Sequence, residues 1–325
     1  MENDNQKTES PYQGAGSRTT VFARIIILGL LLVAAFFFFD TNIPASTGTL
    51  KATSGTAEVE SPDPFEGLFL EAKAAYVYDI INNEVYFTKN ETAQLPLASL
   101  TKIMTALVAS ELLSDDTPVT LTKESVAIEG DSGLKSGERW VFKSLLDYTL
   151  LVSSNDGAHA IAGVAGAFVP SEDKNADPRT RFIARMNQKA AELGLEQSFF
   201  INESGLDVNT SVSGGYGSVK DVNTLVTFAI EENPALLEAT SYNKLDFFSE
   251  EYVHGATNTN AIIGKIPGVI GSKTGFTDLA GGNVVMIFDA GINHPIAIVV
   301  LGSSYEGRFR DIEKLVNASL GRIAR

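Results

Sequence analysis

Residues 96–104 read "PLASLTKIM", and in them Ser99 stands three positions before Lys102. The apolar residues that follow, Leu100, Ile103, Met104, Leu107, Val108 and Leu112, predict an amphipathic helix with one apolar stripe. Residues three apart share a helix face, so the Ser99 hydroxyl and the Lys102 amine can meet. An amine that accepts the serine proton makes the hydroxyl a nucleophile. The plainer alternative is an N-cap serine with a solvent lysine one turn on. The spacing alone does not decide, because Ser-x-x-Lys recurs at Ser132, Ser171 and Ser241. Only Ser99 heads an apolar helix, where the dipole favours a developing negative charge.

Two further triplets follow in order. Ser153 and Asn155 come directly after the apolar run "LLDYTLLV", and Lys273-Thr274-Gly275 lies in "GVIGSKTGFTDLAGGNVV". Each has a plain alternative: a helix end with the next helix cap for the first, a simple turn for the second. Each also has a decoy, Ser241–Asn243 and Lys135–Gly137 respectively. A glycine on an edge strand lets another backbone approach closely, which suits a ligand at Gly275.

The elements around these triplets define the fold class. "AAYVYDI" and "VYFTKN" alternate as strands around the turn "INNE", so a hairpin opens the domain. Helices are expected at "SLLDYTLLV", "AHAIAGVAGAF", "PRTRFIARMNQKAAELG" and "SVKDVNTLVTFAIEEN", the last capped by Ser218 or Asp221. Strands return at "NVVMIFDA" and "HPIAIVVLG", and "RFRDIEKLVNASLGRI" closes the chain as a helix. Strands at both ends with a helical block between predict an α+β domain: one antiparallel sheet flanked by helices, with a mainly helical subdomain.

The ordered set Ser-x-x-Lys, Ser-x-Asn and Lys-Thr-Gly, each in suitable local structure, resembles the D-alanyl-D-alanine carboxypeptidases. These are the low-molecular-mass penicillin-binding proteins of the serine peptidase kind, with a β-lactamase/transpeptidase-like fold. The resemblance spans about residues 70–310 and includes "PLASLTKIMTALVASELL", "SGLKSGERWVFKSLLDYTLLVSSNDGAHAIA" and "FIARMNQKAAELGLEQSFFINESGLD". It implies Ser99 as the acylated nucleophile, Lys102 as its base and Ser153 as the bridge that passes a proton to the leaving D-alanine. It implies Asn155 as the holder of the substrate amide, and Lys273, Thr274 and Gly275 as the binding strand for the terminal carboxylate. The N–H groups of Ser99 and Phe276 would form the oxyanion hole. Arg308, in "YEGRFR", is a helper on the same grounds, against its plain alternative as a surface arginine. Lys273 is expected to stay charged and, with burial, to hold Lys102 neutral.

By the same resemblance the substrate is the peptidoglycan pentapeptide and β-lactams are inhibitors. A serine β-lactamase shares the three triplets. Its class A kind needs a glutamate-held water, and no Glu-x-x-Leu-Asn lies between Ser153 and Lys273; Glu203 is a poor substitute. An inactive wall-binding scaffold is the third alternative. Family members often carry a β-rich domain after the catalytic one and a C-terminal amphipathic anchor, and neither is expected here.

Composition bounds the rest. The 325 residues carry a net charge of −15, which argues against nucleic acid as a partner. There is no cysteine, so thiol nucleophiles, disulfides and zinc–thiolate sites are excluded. His159, His254 and His294 show no metal-type spacing, and neither metal nor cofactor is expected. Residues 1–20 are a polar tail, 21–40 ("VFARIIILGLLLVAAFFFFD") a transmembrane anchor or signal segment, 41–66 a Ser/Thr/Pro/Gly-rich linker and 67–325 the catalytic domain. Arg18 and Arg24 would keep the N-terminus in the cytoplasm and export the bulk. Four phenylalanines before Asp40 make poor ground for cleavage, so an uncleaved anchor is preferred over secretion after signal removal.

Overall fold

A computed structural model describes residues 62–171 and 175–325. The tail, the apolar segment 21–40 and almost all of the linker lie outside the described residues. Among the described residues no helix is long and apolar enough to cross a membrane.

The sheet has five strands, all neighbours antiparallel: β1 (Ala74–Asp79), β2 (Glu84–Lys89), β3 (Val269–Thr277), β4 (Gly281–Asp289) and β5 (Pro295–Ser303). Their order is β3-β4-β5-β1-β2. The N-terminal hairpin thus pairs with the C-terminal strands, as the order of elements implied, and the Lys-Thr-Gly strand β3 is an edge. Alternation sorts each strand between two cores. Val284, Met286, Phe288, Ile296, Ile298 and Val300 face one side; Val285, Ile287, Ala297, Val299 and Leu301 face the other. Burial on both faces explains why "VVMIF" and "IAIVVL" are continuous apolar runs.

Six α-helices are described: α1 (Thr101–Leu112), α2 (Phe142–Val152), α3 (Asn155–Ala167), α4 (Pro178–Glu192), α5 (Val219–Glu232) and α6 (Gly307–Ile323). Helix α6 covers the first face through Phe309, Ile312 and Leu315. Asp311 fastens it: its carboxylate accepts from the N–H groups of Glu71 (3.1 Å) and Ala72 (2.8 Å) and from the Ser303 hydroxyl (2.8 Å). Helices α1 to α5 build the other core. Ser218 is the cap of α5, accepting from the Asp221 N–H at 3.1 Å.

Two expectations are corrected. Helix α1 is not amphipathic: every residue from Thr101 to Ala109 is buried, so it is the central helix of its core. The linker also ends earlier than residue 66. Phe65 is buried and stacks on Phe87, with ring centroids 5.6 Å apart.

Candidate active site

Ser99 lies in a 3-10 turn, Ala98–Leu100, that leads into α1. No side-chain cap closes either helix start, which removes the N-cap reading of Ser99. Ala98 takes a left-handed φ of 48°, a conformation unusual for a residue with a side chain. The buried Asn283 amide on β4 donates to the Pro96 carbonyl at 2.9 Å, so the turn is tied to the sheet. Strand β3 passes directly beside it. A Cβ on Gly275 would lie 3.0 Å from the Ser99 nitrogen, 3.1 Å from the Ala98 Cβ and 3.1 Å from the Leu97 oxygen. Glycine is what allows this approach.

Ser153 and Asn155 come from the junction of α2 and α3. Ser153 ends α2 with a left-handed φ of 62°, and Ser154 caps α3 by accepting from the Gly157 N–H at 2.9 Å. The kink sends Ser153 toward the sheet and Asn155 toward α1. The Lys273 amine reaches the Ser153 hydroxyl at 2.8 Å and donates to the Thr274 carbonyl at 3.0 Å.

The Lys102 amine, 1% exposed, has three neighbours: Ser99 Oγ at 2.9 Å, Asn155 Oδ1 at 2.7 Å and the Ser204 carbonyl at 2.8 Å. The Asn155 amide nitrogen donates to the Glu129 carbonyl at 2.7 Å, which fixes which end of the amide meets Lys102. Asn155 Oδ1 and the Ser204 carbonyl can only accept. A neutral amine has two N–H donors and one lone pair. Both donors are taken by those two acceptors, so the lone pair is left for the Ser99 hydroxyl, which donates to it.

Burial favours that neutral form, lowering Lys102 to about 7 although Glu203 pulls the other way. Lys273, equally buried, is also held well below its ordinary value by burial, by the Lys102 charge and by Arg308. This revises the expected division of labour. Burial is the cause that lowers Lys102, and Lys273 is itself held below its ordinary value instead of standing as a firm cation beside it. An anion placed against Lys273 would restore its charge.

The other expected site residues are placed as follows. Asn155 orients Lys102 through its Oδ1 and is itself held by the Glu129 carbonyl, which leaves one N–H and one oxygen lone pair of its amide for the expected contact with a substrate amide. Arg308 is not at the surface; it is 3% exposed, donates to the Gly275 carbonyl at 2.6 Å and lies under the Tyr305 ring. This contact holds the guanidinium on the Lys-Thr-Gly strand itself. Thr274 Oγ1 is 2.7 Å from Thr259 Oγ1. The Ser272 N–H points outward to Thr240 Oγ1 at 2.9 Å, and unbroken alternation along β3 points the Phe276 N–H the same way. The Phe276 ring is half exposed and meets Tyr305 edge to face, centroids 5.1 Å apart.

Two of the decoy serines are engaged locally. Ser132 bonds Ser154 (2.7 Å) and Asp156 (2.9 Å), while Ser241 bonds the Glu238 carbonyl in its own turn. Each histidine pairs with a buried carboxylate: His159 with Glu203, His254 with Glu138 and His294 with Asp79. Among the described residues there is no cluster that could hold a metal ion.

This is the fold of a penicillin-binding protein. Penicillin-binding protein D2 of Listeria monocytogenes in its ampicillin-bound form superposes with a TM-score of 0.65 at 30% identity, over 77% of this chain and 98% of that one. The family model described as D-alanyl-D-alanine carboxypeptidase matches residues 58–305, and the chain belongs to that family, the low-molecular-mass penicillin-binding proteins. A D-alanyl-D-alanine carboxypeptidase of Bacillus subtilis is 30% identical over 260 residues, 76% of this chain and 61% of the relative. The chain therefore spans less than two thirds of that relative's length. A D-alanyl-D-alanine endopeptidase of Pseudomonas aeruginosa is 30% identical over 264 residues, 78% of this chain and 79% of the relative.

Proposed function

We propose that the protein is a serine-type D-Ala-D-Ala carboxypeptidase that releases the terminal D-alanine of peptidoglycan stem peptides and is acylated by β-lactams. The observation that carries this is the hydrogen-bond geometry of Lys102, whose two fixed acceptors leave its lone pair to Ser99. Ser99 Oγ attacks the carbonyl of the penultimate D-alanine as Lys102 takes its proton. The Ser99 and Phe276 N–H groups meet the resulting oxyanion, each donor being worth about 3–4 kcal/mol in such sites. Ser153, held by Lys273, relays the proton that Lys102 took from Ser99 on to the departing amine, which returns Lys102 to its neutral form. Water then attacks the ester with Lys102 again as base, regenerating Ser99. The substrate carboxylate rests against Lys273 and Thr274. Arg308, bonded to that strand, adds positive charge.

The β-lactamase alternative asks Glu203 to activate water. Its two carboxylate oxygens are held by His159 (3.0 Å) and Arg179 (3.1 Å), and the side chain is buried, which disfavours that role. Full-length protein incubated with purified pentapeptide muropeptides should release free D-alanine, and S99A should not. Release by S99A at the parental rate would refute the assignment.

The apolar segment 21–40 anchors the chain in the cell membrane with the catalytic domain outside; support comes from its length and from Arg18 and Arg24 on its N-terminal side. Protection of the domain from protease added to intact spheroplasts would contradict this.

A further inference from the structure

A second charged cluster lies behind the amine. The Glu203 and Ser204 carbonyls are both clipped to α1, one accepting from the Thr105 hydroxyl at 2.6 Å and the other from Lys102 at 2.8 Å. These donors are one helical turn apart, so the segment lies along α1 on the Lys102 side. From there the Glu203 carboxylate, 3% exposed, turns toward two other helices. It meets His159 of α3 at 3.0 Å and Arg179 of α4 at 3.1 Å. A carboxylate wedged among three helices beside a buried amine is poorly screened by water.

We infer that Glu203, balanced by Arg179 and His159, governs how readily the Lys102 amine holds its proton, and so acts as a positioning residue for the base. The inference rests on the acyl-enzyme reading of Ser99 above. The charges facing these groups are few. Lys102 feels Glu203, and Lys273 feels Lys102 and Arg308. His159 also lies near Glu124 and Asp156, and Arg179 near Asp177. Burial works against the Glu203 charge, yet His159 and Arg179 prevail and hold its carboxyl at about 2, so it is ionised across the working range. Its negative charge favours ammonium on Lys102, and the Arg179 charge offsets that effect. Removing either one alone must therefore push Lys102 in opposite directions.

The test is the pH dependence of the acylation rate constant of the full-length protein with a fluorescent penicillin, between about pH 5 and 9. E203Q keeps shape and loses charge. Its acidic limb should move down by about half to one pH unit, the scale expected for one weakly screened charge. R179Q leaves Glu203 less balanced and should move the limb up. Lost packing alone would lower the rate without displacing the two limbs in opposite senses. Limbs that stay in place, or move together, overturn the inference. If E203Q does not fold, R179Q decides alone, since the Arg179 side chain is a third exposed; an unmoved or lowered limb overturns the idea. Labelling of S99A as fast as the parent would instead refute the acyl-enzyme reading and leaves a different signature.

Discussion

Gly275→Ala is the smallest change that separates the two halves of the site. The added methyl would stand 3.0 Å from the Ser99 nitrogen and 3.1 Å from both the Ala98 Cβ and the Leu97 oxygen. These neighbours are backbone or a bare methyl and cannot swing away, so β3 must retreat from the turn by a few tenths of an ångström. Overpacking of this kind costs about 1–3 kcal/mol of stability. The same retreat separates the Phe276 N–H from the Ser99 N–H, the two donors proposed above for one oxyanion. Complete loss of one donor costs about 10²–10³ in rate, and a partial shift about 10- to 100-fold. Gly163 provides the control. A Cβ there meets nothing within 4 Å, so Gly163→Ala in α3 should raise stability by about 0.5–1 kcal/mol and leave acylation unchanged. The assay is the second-order acylation rate constant with a fluorescent penicillin, alongside denaturant unfolding. A G275A protein that acylates at the parental rate would show that strand and turn need not be this close.

Asn155→Asp places a charge 2.7 Å from the Lys102 amine and should raise its pKa by about 1–3 units. The base is then mostly protonated at pH 7, and acylation should fall there by about 5- to 500-fold and recover as pH rises; a loss that does not recover would argue for a purely steric effect. Asp311→Ala strips the acceptor from two backbone N–H groups and the Ser303 hydroxyl at the back of the sheet. It should cost about 3 kcal/mol and lower the unfolding midpoint by about 6–12 °C in calorimetry, with the acylation rate at 25 °C within about twofold of the parent. A midpoint within about 2 °C of the parent would show that α6 is held mainly by its apolar contacts.

Strand and helix positions were legible because alternation and periodicity are written in side-chain type, whereas the pairing of the terminal strands followed only from the order of elements. Even there, "VVMIF" did not reveal that both faces are covered; α6 does that from the far end of the chain. The burial of α1 was hidden by Thr101, Lys102 and Thr105. Lys102 and Thr105 lie in a core because Ser204 and Glu203 bring carbonyls to them from about a hundred positions away. The serine–lysine pair was readable from its spacing, since both partners sit on one turn. The environment that neutralises the lysine was not, because Asn155 and Ser204 join it only through the fold. Nor were the left-handed Ala98 and Ser153, where neither residue type announces the conformation. One local signal was available for the Ser204 segment. Asn202 Oδ1 accepts from the Gly205 N–H at 2.7 Å in a turn, and Asn-x-x-Gly is a turn signature.

The nucleophile depends on an amine that is uncharged when the enzyme works. The direct measurement is the titration of the Lys102 Cε resonance in carbon-13-lysine-labelled protein, assigned by its absence in Lys102→Arg. A midpoint of about 7 is expected, far below the roughly 10.4 of a free lysine. A midpoint above about 9.5, within a unit of that free value, would leave Ser99 without its base.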